Sequence, residues 1–279
     1  MKHILLLSLI FCSFRVASQT SPRQLTTADS LKAKHYWYLA SNVPLYSHQR
    51  DQYLDSALAI MPWNAYWWQQ KANPTVKLRK YELAIQYLDS AVKYDAVAYF
   101  GYRAYTRCIH AKHYRRALRE FDEAILLNGR TGVMDHSYDF YKGLCHLQLN
   151  SFDSAHYYFS SSINAVIARL DESWVSPTEY FYLGIAEYER ERWSHAIGLF
   201  DKALLIYPNF SDAKYYKALC LDKANSDKEA LRLMLEAEAD FRSGGTINED
   251  AALYEQFPYQ VCQRYFTNAI RRLSDSAVK

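Results

Sequence analysis

PTEYFYLGIAEYERERWSHAIGLFDKALLIYPN, residues 177 to 209, reads as two helices joined by a short turn. Tyr180, Leu183 and Gly184 fall on one side of the first, and Ala196, Phe200 and Ala203 on one side of the second. These three- and four-residue spacings are those of a helix face, and Pro208 marks the stop. Thirty-four residues on, the frame returns: Ala218 for Gly184, Ala230 for Ala196, Met234 for Phe200, Ala237 for Ala203. A fixed period of about 20–50 residues is the signature of stacked units, none of which buries its own apolar face alone.

Working outward, the small position late in each second helix recurs as Ala57, Ala91, Ala124, Ser162, Ala203 and Ala237, at spacings of 34, 33, 38, 41 and 34. The two long gaps are loop insertions, the second at Arg169 to Ser176 with Trp174. Six units follow, 31–64, 65–97, 98–131, 136–168, 177–210 and 211–244, within an array over 27–244. The first is degenerate: Arg50 and Tyr38 occupy positions where small packing residues belong. In the second, Pro74 lies inside a helix and should remove one backbone hydrogen bond and kink the rod. In the third, Ala104 sits one residue out of frame. After the array, Phe257, Val261, Tyr265 and Ile270 predict an amphipathic capping helix and tail over 247–279, interrupted early by Pro258.

Tyr180, Leu183, Gly184, Ala196, Phe200, Ala203 and Pro208 fall at the offsets of the tetratricopeptide repeat, and the chain resembles that family from about Thr27 to Gly244. The mid-first-helix tyrosine of the family pattern is replaced by Thr75, Cys108, His146, Glu187 and Leu221. The resemblance implies an all-α, right-handed superhelical solenoid with a concave face lined by first helices, where members bind peptides or protein segments. Carried over in frame, that face holds Gln69, Tyr102, Phe140, Phe181 and Tyr215, and one turn on Asn73, Thr106, Leu144, Ile185 and Leu219. This is an apolar ladder with an amide-rich N-terminal end, suited to an extended or helical apolar segment. The alternative is that these side chains pack on one another or under the C-terminal helix. Family members that clamp a C-terminal carboxylate use Lys, Arg and Asn here, and only Asn73 and Gln69 echo them.

The composition agrees with an α array. The chain has 279 residues, 50% hydrophobic, and only 8 Gly and 7 Pro, too few breakers for a disordered or all-β chain. Tyrosine is abundant at 25; such rings fill helix seams or line binding surfaces. Residues 1–18 read as a secretory signal peptide, with basic Lys2, an apolar run from Ile4 to Phe11 and small residues at Ala17-Ser18. A flexible arm, 19–26, follows. Phe11 stands where a lipidation box needs a small residue, so no lipid anchor on Cys12 is expected. The expected location is therefore periplasmic or secreted.

The 33 basic residues less Lys2 and Arg15, against 30 acidic ones, leave a mature charge of about +1. Nothing here demands a nucleic-acid partner. Cys108, Cys145, Cys220 and Cys262 match no metal spacing; if a bridge forms, Cys108–Cys145 between adjacent repeats is the plausible pair. His110, His113, His136 and His146 have no carboxylate spaced with them, and no phosphate loop, nucleophile elbow or zinc-protease helix is present. No enzyme, cofactor, metal or small-molecule substrate is expected. The leading expectation is a scaffold for a protein or peptide partner in an envelope or secretory assembly. The alternative is a self-assembling module using Trp63, Trp67 and Trp174.

Overall fold

A computed structural model describes residues 25–277; the expected signal peptide, Cys12 and most of the arm lie outside them. Twelve helices form six antiparallel pairs. They are α1 (Thr27–Ser41) with α2 (His48–Ile60), α3 (Ala65–Lys77) with α4 (Tyr81–Tyr94), and α5 (Ala96–Tyr105) with α6 (Tyr114–Asn128). Then come α7 (Tyr138–Gln148) with α8 (Phe152–Arg169), α9 (Pro177–Glu189) with α10 (Trp193–Ile206), and α11 (Ser211–Lys223) with α12 (Asp227–Arg242). A thirteenth helix, α13 (Gln263–Ala277), covers α12. The molecule is an all-α solenoid with a capping helix. Among the described residues no helix is long and apolar enough to cross a membrane.

Local chemistry starts and turns these helices. The first helices of five pairs begin behind Thr26, Asn64, Asp95, Ser137 and Ser176, each side chain accepting a backbone N–H of the first turn. The turns inside pairs two to six share one device, a left-handed residue at Arg79, Lys112, Asn150, Glu191 and Asn225 (φ 56–59°). Packing then follows the repeat frame. At Gly143 and Gly184 an added Cβ would stand 2.6 Å from the rings of Phe159 and Phe200, so glycine is what lets each pair close.

Three irregularities have identifiable causes. The out-of-frame Ala104 is followed by a π-helical turn, Thr106–His110. Small residues of the two helices stand 12 apart in the neighbouring pairs (Ala72–Ala84, Gly143–Ala155) but 13 apart here (Ala104–Ala117), and the wider π turn absorbs the extra residue. Pro74 has no N–H for the carbonyl of Gln70, four residues back. Arg50, 4% exposed, donates from Nη1 to that carbonyl at 3.1 Å. The large residue in the degenerate first unit is thus a partner for the proline in the second. The first insertion forms a small hairpin, β1 (Gly132–Val133) with β2 (His136–Ser137), and the second a 3₁₀ turn, Glu172–Trp174.

The C-terminal expectation needs correction. Residues 245–262 are not part of a helix; apart from a 3₁₀ turn at Asp250–Leu253 they form an irregular strap. Pro258 disfavours helix at Phe257, and both are buried. The stripe of α13 is Phe266, Ala269 and Leu273, one residue off the expected Tyr265, which is 46% exposed. Trp67 is buried against Trp37, centroids 6.2 Å apart, which removes it from the exposed aromatics of the self-assembly alternative; Trp63 and Trp174 stay exposed.

Candidate functional site

The strap lies on the face made by the first helices. Its neck is held by the carboxylate of Asp212, in the first turn of α11. That group accepts from Thr246 Oγ1 (2.8 Å) and the N–H of Ile247 (3.2 Å) where the strap begins, and from the N–H of Val261 (2.7 Å) where it ends. Ser211 N–H donates to the Gly245 carbonyl (2.7 Å), so the strap also caps α11, which lacks a side-chain cap of its own. Burial pushes the Asp212 carboxyl up to about 6, and those donors partly offset the shift.

From its neck the strap reaches back to the second pair. His136 Nε2 and Glu249 Oε1 stand 3.0 Å apart. At the tip Arg79 donates from Nε (3.2 Å) and Nη2 (3.0 Å) to the Tyr254 carbonyl, and Lys77 lies 4.8 Å over the Tyr254 ring. The Tyr81 hydroxyl bonds Glu255; burial first, and then this bond, push the phenol up to about 12. Lys112 donates to the Gln256 carbonyl at 2.7 Å. On the return leg Tyr182 donates to the Pro258 carbonyl (2.8 Å) and Tyr259 to Glu189 (2.8 Å). Much of this is side chains reading a main chain, as grooves that bind extended peptides do.

The strap decides what becomes of the expected ladder. Phe140, Leu144, Phe181, Ile185 and Thr106 are fully buried and present no open surface. Phe140 stacks on His136 at 3.9 Å, Phe181 packs on Phe210 at 5.0 Å, and the Thr106 hydroxyl bonds its own helix at the Tyr102 carbonyl. The physical reason is that the apolar middle of the face is core, continuous with strap residues Ile247, Ala251, Phe257 and Val261.

The two ends of the ladder remain open. At one end Gln69, Asn73 and Tyr102 come together: Gln69 Nε2 (3.0 Å) and Tyr102 Oη (2.7 Å) both donate to Asn73 Oδ1. They line a cavity of about 460 Å³ with Val76, Lys77, Tyr105, His110 and strap residues Asp250, Ala251, Leu253 and Tyr254. At the other end Tyr215 and Leu219 line a second cavity of about 470 Å³, with Tyr188, Glu189 and strap residue Tyr259. Sequence reasoning missed the strap, Asp212 and Tyr182. No residue of 246–262 departs from ordinary loop or helix composition, and Asp212 reads as a first-turn acid like any other.

The histidines do not converge. His136 serves Glu249, His146 stacks on Tyr158 (5.2 Å), and burial lowers His110 to about 4. Among the described residues no group of three or more His, Cys, Asp or Glu side chains is placed to hold a metal. Cys108 and Cys145 meet across two pairs with their sulfurs 3.4 Å apart.

The comparisons agree with this architecture. The sequence model described as tetratricopeptide repeat matches residues 181–244. A search of curated proteins finds no match. Among solved structures, PilW, a widely conserved type IV pilus biogenesis factor, is similar at 15% identity with a TM-score of 0.60, over 78% of this chain and 95% of that one. MamA (residue 41 to the end) from Desulfovibrio magneticus RS-1 is similar at 16% identity and 0.54, over 64% and 96%. YrrB, described as a TPR protein with an unusual peptide-binding site, is similar at 17% and 0.50, over 67% and 91%. At these identities the likeness is one of fold: the chain is a tetratricopeptide-type α-solenoid.

Proposed function

We propose that this solenoid is a non-catalytic scaffold that holds an extended segment of a partner polypeptide at the N-terminal end of its first-helix face, beside its own strap. The carrying observation is that this face already holds a peptide, residues 245–262, through main-chain contacts to Arg79, Lys112, Tyr182 and Asp212. The open cavity at the strap tip continues that surface with Gln69, Asn73 and Tyr102. Two of these are amides, able to both donate to and accept from a main chain. YrrB's peptide-binding site and the likeness to PilW favour the same class of role. With the signal-peptide reading of residues 1–18, the scaffold acts after export, in an envelope or secretory assembly.

A photo-crosslinking amino acid at position 69, in the full chain in its native cells, tests this. The expected result is a polypeptide adduct that is absent with the crosslinker on the opposite helix row at position 205, and is lost on Tyr102→Ala. Equal labelling from both positions, or none from position 69, would sink the reading.

A further inference from the structure

The two insertions that break the repeat period meet in space. The hairpin of the first and the 3₁₀ turn of the second wall a cavity of about 550 Å³; Met134 at the hairpin turn lines both this cavity and the one at the strap tip. In repeat arrays, insertions gather on the face that meets ligands. Two of them converging on one hollow sets it apart from the regular inter-pair seams.

The floor of this hollow carries an unusual charge. Four carboxylates are buried among the described residues: Asp139, Glu179, Glu187 and Asp212. Three are well supplied. Asp139 takes both contacts of Arg130 and the Ser161 hydroxyl, Glu187 has Arg190 and His156, and Asp212 has the strap donors. Glu179, 5% exposed, takes one neutral donor, Ser162 Oγ at 2.7 Å, on Oε1. Its Oε2 accepts from no group of the chain among the described residues. A short hydroxyl chain fixes the order of protons below it. Phe140 N–H donates to Ser137 Oγ, Ser137 Oγ stands 2.7 Å from Ser162 Oγ, and Ser162 spends its one proton on Glu179. Neither serine meets an imidazole, so this chain orients a carboxylate and prepares no nucleophile.

A buried carboxylate with one neutral donor has an unmet demand for a cation. The chain does not meet it: Arg130 is committed to Asp139, and Arg169 lies exposed at the rim. Above the carboxylate the walls turn apolar, with Val166, Leu170 and the 66%-exposed indole of Trp174. We infer that the cavity between the two insertions is a second binding site, which takes a ligand bearing an ammonium or guanidinium group on an apolar stem: a lysine or arginine side chain of a partner polypeptide. The cationic head meets Glu179 Oε2, the stem lies along Val166 and Leu170, and Trp174 closes over it with the attraction of an aromatic face for a cation. This site shares only Met134 with the strap-tip cavity and none of the residues that would bind there, so either reading can fail alone.

The test is calorimetric titration of the full chain with a capped pentapeptide carrying one central arginine, its citrulline counterpart, and free agmatine. The arginine peptide should bind, the citrulline peptide at least tenfold more weakly. Glu179→Gln, which keeps the shape and the contact to Ser162, should abolish the preference. Trp174→Ala should weaken binding several-fold, and Glu236→Gln, exposed on α12 and away from the cavity, should leave it unchanged. Agmatine binding as tightly as the peptide would assign the same cation site to a free amine. Glu179→Gln binding the arginine peptide as well as the unmodified chain, with an unchanged circular dichroism spectrum, overturns the proposal, as does binding of the citrulline peptide alike.

Discussion

Asp212 does the most with the fewest atoms, joining both ends of the strap to α11. An unfolded aspartate loses its proton near pH 3.9, whereas this one holds it to about 6. Between those values the folded chain binds the extra proton at Asp212, so the contribution of this one group is full below about pH 4 and is lost as pH rises through 6, by roughly 2–3 kcal/mol; buried His110, lowered to about 4, acts in the opposite sense over the same range. In urea titrations from pH 4 to 7 the wild type should lose stability relative to Asp212→Asn as pH rises, the difference between the two isolating this group from His110. The same residue-level reading reassigns Phe140 and Phe181. Alanine at either costs about 3–5 kcal/mol as a core cavity, and its signature is a lowered urea midpoint. Thiol labelling checks burial directly. Cys262 is exposed and should react at once in the native state; Cys108, Cys145 and Cys220 are buried, Cys220 with its thiol pushed up to about 12, and should wait for unfolding.

At the scale of elements, Arg50 and Pro74 form a coupled pair, and a double-mutant cycle reads the coupling. Pro74→Ala returns a helical N–H to the Gln70 carbonyl. Arg50→Met should then cost less in that background than alone, by about 1 kcal/mol, the worth of one hydrogen bond. Gly184→Ala probes one of the tight seams. Alanine ordinarily favours a helix by about 1 kcal/mol, but here its Cβ must displace the Phe200 ring, so a net loss of about 1–2 kcal/mol is expected in thermal unfolding. These elements also show what was legible beforehand. The period, the pairing and the glycine seams are written as small residues at fixed offsets, because close approach excludes large side chains locally. The slip at Ala104 was visible, but its remedy, a π turn, is a choice among backbones that the residues do not spell. The strap was invisible for a related reason: its affinity for the first-helix face lies in carbonyls and N–H groups, which every residue carries. That is also why the expected ladder is covered in its middle and has cavities only at its ends, around Asn73 and Tyr215, each walled on one side by the strap.

For the whole molecule, the strap converts a row of neighbours into a closed body. In an open solenoid each unit touches only the next, and stability is close to a sum of unit and seam terms. Here the second pair is tied to the end of the chain by Arg79–Tyr254 and Tyr81–Glu255, and the fifth by Tyr182–Pro258. The full chain should unfold in urea as one transition reported alike by tryptophan fluorescence and circular dichroism. A chain ending at Ser243 should lose that coincidence, with Trp67 and Trp68 reporting the N-terminal pairs apart from the rest. The contact between residues 79 and 254 also sets an order in time. Helix pairs close short loops and can form as the chain emerges, whereas this contact must gather 175 residues and bears a larger loop-closure entropy. During synthesis the N-terminal pairs therefore wait with their inner face bare. They receive their last partners only when the segment around Tyr254 arrives, and until then that face is open to any other extended chain nearby.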